Sequence, residues 1–193
     1  MARHELSIAG RRFALRPLGV ADAELVVELR TDPGLSRYNN PTSPAVSDLV
    51  SWTVAYFDRD DDYSFVVDDR LTATGQGTIS LYHLEPSSGE VEMGRFVLRP
   101  GSLAAPECVL LAYRLAFERL GARRIYCRTW RENDHVVSFH SSCGLREVGP
   151  ALPVEVHGTC HEAVEQEVTA ETWPAVEARL ERAAAAAALL LER

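Results

Sequence analysis

The chain contains no lysine, and all 20 of its basic residues are arginines. That removes Schiff-base chemistry and any lysine clamp on phosphate. Positive charge is also short overall, since 28 acidic residues leave a formal net charge of −8. A binder of the phosphate backbone draws its affinity from clustered cations, so no nucleic-acid partner is expected. Cysteine is sparse: Cys108, Cys127, Cys143 and Cys160 form no C-x-x-C pair, which excludes a zinc knuckle and a local redox dithiol. His157 and His161 are spaced i, i+4 but fall around Gly158-Thr159, where a helix is not expected, so no metal-ligand pattern arises. No apolar run is long enough to cross a bilayer, and Arg3, Glu5, Arg11, Arg12 and Arg16 break up the N-terminal residues. No membrane association and a cytoplasmic location are therefore expected.

What is present is an ordinary globular composition, 46% hydrophobic and 25% charged over 193 residues, enough for one domain with a real core. Period-two alternation over Phe13 to Leu18, Tyr63 to Val67, Gln76 to Leu84, Glu90 to Leu98 and Arg124 to Trp130 predicts strands. Apolar residues at helical spacing predict helices from Val20 to Leu29, from Leu49 to Phe57, and from Pro106 to Leu120 with Gly121 as the stop. A short helix is expected between Asn133 and Gly144, closing strands over Leu145 to Val148 and Glu162 to Thr169, and an Ala-rich helix from Trp173 to Leu191. This order of elements is that of an α+β, or mixed α/β, fold. The acidic run Asp58 to Asp62 reads as a solvated turn without a calcium-loop pattern.

The chemistry concentrates between Glu92 and Pro106, where a strand runs through a Gly/Ala loop into a helix N-terminus. Such a junction leaves unpaired N–H groups that favour an anion. On an ideal strand Glu90, Glu92 and Gly94 share one face, and Val91, Met93 and Arg95 the other, unless a bulge changes the parity. Seven residues separate Asn133 from His140, about two helical turns, which places them on one helix face. Cys143 reads as a core residue, while Tyr38, Asn39, Tyr82 and Trp52 are candidates to line an acceptor pocket, with core packing the first reading for Trp52.

Three stretches together carry a resemblance. Gly94-Arg95-Phe96-Val97-Leu98-Arg99-Pro100, Ala116-Phe117-Glu118-Arg119-Leu120-Gly121, and Asn133 through Phe139-His140 to Gly144-Leu145 resemble the GNAT superfamily of acyl-coenzyme A-dependent N-acyltransferases. The ending Glu167-Val168-Thr169 is similar to the types that acylate ribosomal-protein N-termini or amino sugars. The resemblance implies a mostly antiparallel twisted sheet flanked by helices over residues 1–172, followed by a helical tail at 173–193. It implies acyl transfer from acetyl-coenzyme A, or another acyl-coenzyme A, to a small-molecule amine. Glu92 would be the base, His140 the proton donor in the place of the usual tyrosine, and Phe96, Val97 and Leu98 the strand that meets the pantetheine arm. Asn133 starts the helix facing the cofactor. The family's pyrophosphate pattern, Q/R-x-x-G-x-G/A, falls on Pro100, Gly101, Ser102, Leu103, Ala104 and Ala105. Pro100 and Leu103 depart from it, and leucine's Cβ disfavours the positive φ that glycine supplies. Two other readings stay open: a donor held on an acyl carrier protein, and a non-catalytic binding module whose Ala-rich tail packs on a second copy as a homodimer.

Overall fold

The computed structural model describes residues 2–38, 40–156 and 159–191. In chain order its elements are β1 (Ile8–Ala9), β2 (Phe13–Pro17), α1 (Ala23–Thr31), α2 (Val46–Tyr56), β3 (Tyr63–Asp69), β4 (Thr74–Glu85) and β5 (Glu90–Leu98). There follow α3 (Ala105–Arg114), β6 (Arg124–Trp130), α4 (Asp134–Cys143), β7 (Arg146–Glu147), β8 (Leu152–Val156), β9 (Thr159–Thr169) and α5 (Trp173–Leu191). The strands form one sheet in the order β1-β2-β3-β4-β5-β6-β9-β7, with β8 also on β9. All the pairings are antiparallel except β5 with β6.

The strand period sorts side chains between two faces. Phe65, Val67, Ile79, Leu81, Val91 and Met93 are buried in one cluster with the apolar residues of α3 and α5. On the other face Leu18, Val66 and Leu49 join Ala23, Val26 and Val27 of α1 in a smaller cluster. Pro106 lies in the first turn of α3, where its missing N–H costs no intrahelical bond. The helix ends in a π turn over Leu115–Arg119, the Leu120 N–H reaching the Leu115 carbonyl at 3.0 Å, and Gly121 then takes φ +69°. This turn lays Phe117 on Trp173, ring centroids 5.1 Å apart. Val176, Leu180 and Ala184 of α5 are buried, and Arg114 pairs with Glu177 at 2.7 Å. One face of the alanine-rich helix is thus part of the core, and its exposed large apolar side chains are Leu189 and Leu190 near its end.

Asp62 corrects the expectation of a solvated acidic turn. It is buried, and its carboxylate takes the Arg95 guanidinium at 2.8 Å. Asn39 and His157 lie outside the described residues.

Candidate active site

β5 and β6 pair only through Glu90–Arg124, Val91–Ile125 and Glu92–Tyr126. Beyond Glu92 each strand continues with its outer neighbour alone, β5 with β4 as far as Leu98–Gly77 and β6 with β9 as far as Trp130–Ala163. A wedge opens between them. Its closed end is tied by Arg124, which holds Glu90 at 3.0 Å and Glu165 and Glu167 each at 2.6 Å. A cleft of ≈ 430 Å³ occupies the opening, walled by Met93, Gly94 and Phe96, by Cys127, Thr129 and Trp130, and by Asn133, Val136 and His140 of α4.

Glu92 sits at the fork. It is only 8% exposed, and its Oε1 accepts the Tyr82 hydroxyl at 2.9 Å. His83 Nδ1 and Arg128 Nη1 stand 3.5 and 3.6 Å from Oε2. Burial, and after it the Glu92 charge, raises the Tyr82 pKa, so this phenol stays protonated and available as a donor. A second cavity of ≈ 660 Å³ lies on the α1/α2 face, under Trp52 and Leu49. Arg30, Asn40, Tyr82, Glu92 and Arg95 line both spaces, so the two cavities meet at the carboxylate.

His140 lines the wedge but is only 3% exposed, and its Nδ1 is buried with no hydrogen-bond partner. Burial pushes its pKa down to about 4, so the imidazole is neutral at physiological pH. Tyr38 donates its hydroxyl to the Glu132 carbonyl at 3.0 Å and lines the wedge, not the cavity under α2. Phe96 and Asn133 line the wedge as well, whereas Val97 is a core residue and Leu98 packs against the core.

The loop from Pro100 to Ala105 lines neither cavity. Its left-handed residue is Gly101, at φ +77°, and Leu103 is not among the described non-glycine residues with positive φ. The conformational objection to leucine at 103 therefore does not apply: the turn places its strain-free glycine two residues earlier and leaves the Leu103 side chain 36% exposed. Ser102 Oγ accepts the Ala104 N–H at 3.3 Å. The N–H groups of Leu103, Ala105 and Glu107 have no partner among the described residues. The Glu107 carboxylate turns away from them, to the backbone N–H groups of Arg11, Arg12 and Phe13. The residues present fit an acyl-coenzyme A in two respects. The β6-facing side of residues 93–98 has no ladder partner, as a pantetheine arm requires, and free N–H groups stand at the start of α3.

Sequence alternation missed two features that shape this site. β5 carries an extra residue between Gly94 and Val97, and β4 one between Tyr82 and Glu85. The bulges fall on Arg95 and His83, at φ +47° and +54°. The first inverts the expected parity: Arg95 turns to the Glu92 face, where it stands 4.3 Å from the Tyr82 ring centroid and 5.5 Å from that of Trp52. Trp52 accordingly lines the cavity as well as packing.

Residues 12–146 match the model of an acetyltransferase (GNAT) domain, and the chain therefore belongs to the GNAT superfamily of acetyltransferases. No curated protein matches it. Among solved structures it is similar to a GCN5-related N-acetyltransferase from Brucella melitensis, with a TM-score of 0.81 at 22% identity over 93% of this chain and 85% of that one. It is similar to apo FdhC, a nucleotide-linked sugar GNAT, with a TM-score of 0.79 at 21% identity over 93% and 98% of the two chains. A third likeness is to spermidine N-acetyltransferase from Vibrio cholerae in complex with CoA and spermine, with a TM-score of 0.75 at 19% identity over 84% and 98%.

Proposed function

We propose that the chain moves an acetyl or other acyl group from coenzyme A to a primary amine of a small molecule, an amino sugar or a specialised-metabolite amine. The observation that carries this reading is the meeting of two cavities at one buried carboxylate, Glu92. Coenzyme A, when bound, supplies an acyl group activated as a thioester. Glu92 takes the proton that the attacking amine loses as the new C–N bond forms, directly or through a water molecule, and by the same route returns it to the thiolate set free when the thioester C–S bond breaks. The Tyr82 hydroxyl fixes Oε1, which holds the carboxylate in one orientation across the fork. The free edge of β5 from Met93 to Phe96 offers backbone hydrogen bonds to the pantetheine arm. The N–H groups at Leu103, Ala105 and Glu107 offer partners to the pyrophosphate. His140 does not act as the proton donor in this scheme, because a ring held neutral has no proton to release near pH 7; it offers the cleft a hydrogen bond. The sugar and spermidine acetyltransferases among the structural neighbours support an amine acceptor. Cytoplasmic action on a soluble metabolite is consistent with the absence, among the described residues, of any helix long and apolar enough to cross a membrane.

Calorimetric titration with acetyl-coenzyme A, followed by thiol release against a panel of primary amines, tests the reading. Saturable binding and turnover of at least one amine are expected. No heat and no thermal stabilisation at millimolar ligand would overturn it. If a loaded acyl carrier protein supported transfer where free acetyl-coenzyme A did not, the donor assignment would pass to the carrier.

A further inference from the structure

The cavity under α1 and α2 holds two arginines in different electrostatic states. Arg95 is paired, its Nη1 lying 2.8 Å from both Asp62 carboxylate oxygens. Arg30, on α1, has no carboxylate partner among the described residues. Its Nε donates to Thr42 Oγ1 at 2.7 Å and its Nη2 to the Asn40 carbonyl at 3.2 Å, so two neutral loop oxygens aim the guanidinium while Nη1 has no partner among the described residues. The carboxylates on the cavity wall are engaged elsewhere: Glu92 accepts from Tyr82 at 2.9 Å, and Asp48 accepts from Ser43 at 2.6 Å. Burial, followed by the charge of Arg95, lowers the pKa of Arg30, which marks a desolvated cation facing another cation. Arginine stays charged under such pressure. The wall also contains both backbone bulges, at His83 and Arg95, in a conformation that side chains other than glycine rarely adopt. Strain of that kind collects where a side chain must be aimed.

We propose that the acceptor carries an oxyanion, a carboxylate or a phosphate, in addition to its amine, and that Arg30 grips the oxyanion while Glu92 receives the amine. This rests on the reading of the site as an amine acyltransferase and names the substrate class it takes. A guanidinium with a free N–H edge matches the planar oxygens of either group, and Arg30 lines both of the cavities that Glu92 lines. A polyamine would fit poorly, because an ammonium group beside Arg30 would face a guanidinium with no carboxylate partner among the described residues.

The test uses the full chain with saturating acetyl-coenzyme A and matched acceptors: an amino acid and its amide, an amino sugar and its phosphate ester, and spermidine. Each is assayed with the wild type, Arg30→Gln and Arg30→Lys. The quantity read is the ratio of kcat/KM for the anionic and neutral members within one protein, which cancels any change in donor binding. The wild type is expected to prefer an anionic member about tenfold or more. That ratio should collapse towards unity in R30Q, through KM, and recover partly in R30K. Calorimetry of the same acceptors in the presence of coenzyme A gives a second readout that needs no turnover. Equal use of neutral amines, efficient use of spermidine, an R30Q ratio like the wild type, or no binding of any anionic member would each overturn the proposal. Arg30-dependent binding of an anionic member with no turnover of any amine would uphold it and remove the acyltransfer reading instead. The carboxylate and phosphate arms show which oxyanion is taken.

Discussion

The two faces of β3, β4 and β5 make an instructive pair. Toward α3, Phe65, Val67, Ile79, Leu81, Val91 and Met93 form a wholly apolar surface. Toward α1 and α2, Val66 is apolar, but Ser64, Thr78, Ser80 and Glu92 around it are polar and nearly as buried. They are tolerated because they satisfy one another and their surroundings: Ser64 and Ser80 share a hydrogen bond of 2.9 Å, the Ser64 N–H donates to the Tyr56 hydroxyl at 2.8 Å, and Thr78 donates to the Arg95 carbonyl at 3.1 Å. One set of strands therefore divides its side chains by residue parity, with a wholly apolar face toward α3 and a mostly polar cavity wall toward α1 and α2.

That division can be broken experimentally. Glu92→Gln should lower kcat/KM by about 10²–10⁴-fold, the usual contribution of a positioned general base, while the unfolding midpoint stays near that of the wild type. Retention of full turnover in steady-state assays would remove Glu92 from the mechanism. Leu81→Ala, one residue away on the apolar face, should do the reverse. A loss of about 2–5 kcal/mol in a denaturant titration is expected, with activity per folded molecule nearly unchanged.

His140 tests the boundary between the two roles. Its folded-state pKa of about 4 lies below the ordinary value of 6.5, so the unfolded chain binds the extra proton first. The corresponding stability, about 3 kcal/mol, is present in full above pH 6.5 and is lost as the pH falls from 6.5 towards 4. His140→Gln should lessen the pH dependence of stability in that window, leaving the share of His4, whose pKa burial also lowers to about 4, and change kcat at pH 7 by less than about tenfold. A hundredfold loss accompanied by a shifted pH–rate limb would return the proton-donor role to the histidine. The smallest effect is expected at the loop: Leu103→Gly should alter the Kd for acetyl-coenzyme A by no more than about threefold, because Gly101 already supplies the left-handed residue.

Much of this frame was legible locally. Alternation located β3 to β6, and Pro106, Gly121 and Gly144 marked helix boundaries through their own backbone preferences. Glu92 could be placed on a strand next to a cofactor loop from its neighbours alone. The electrostatic partners could not. Asp62 belongs to a run of charges that would ordinarily be solvated, and only the bulge at Arg95, a tertiary event with no mark in the hydrophobic period, brings in the cation that buries it. β8 was obscured by Pro153, which an edge strand can accommodate. The protonation of His140 depends on how deeply α4 seats against β9, where Gln166 donates to Ser141 at 2.9 Å and to the Val137 carbonyl at 3.2 Å. Spacing along the chain carries no such depth.

The lysine-free composition also bears on the proposed reaction. No side chain of the chain itself offers a primary amine, so an acylating enzyme of this sequence cannot spend donor on lysines of its own.

The short seam between β5 and β6 has a consequence for the life of the molecule. Only three residue pairs join the two halves of the sheet there, so a small molecule lodged in the wedge becomes the missing rung between them. Such a ligand binds the folded chain and not the unfolded one, and at a hundred times its Kd it contributes about 2.7 kcal/mol. A saturating ligand in the wedge is therefore expected to raise the unfolding midpoint and slow proteolysis of the chain.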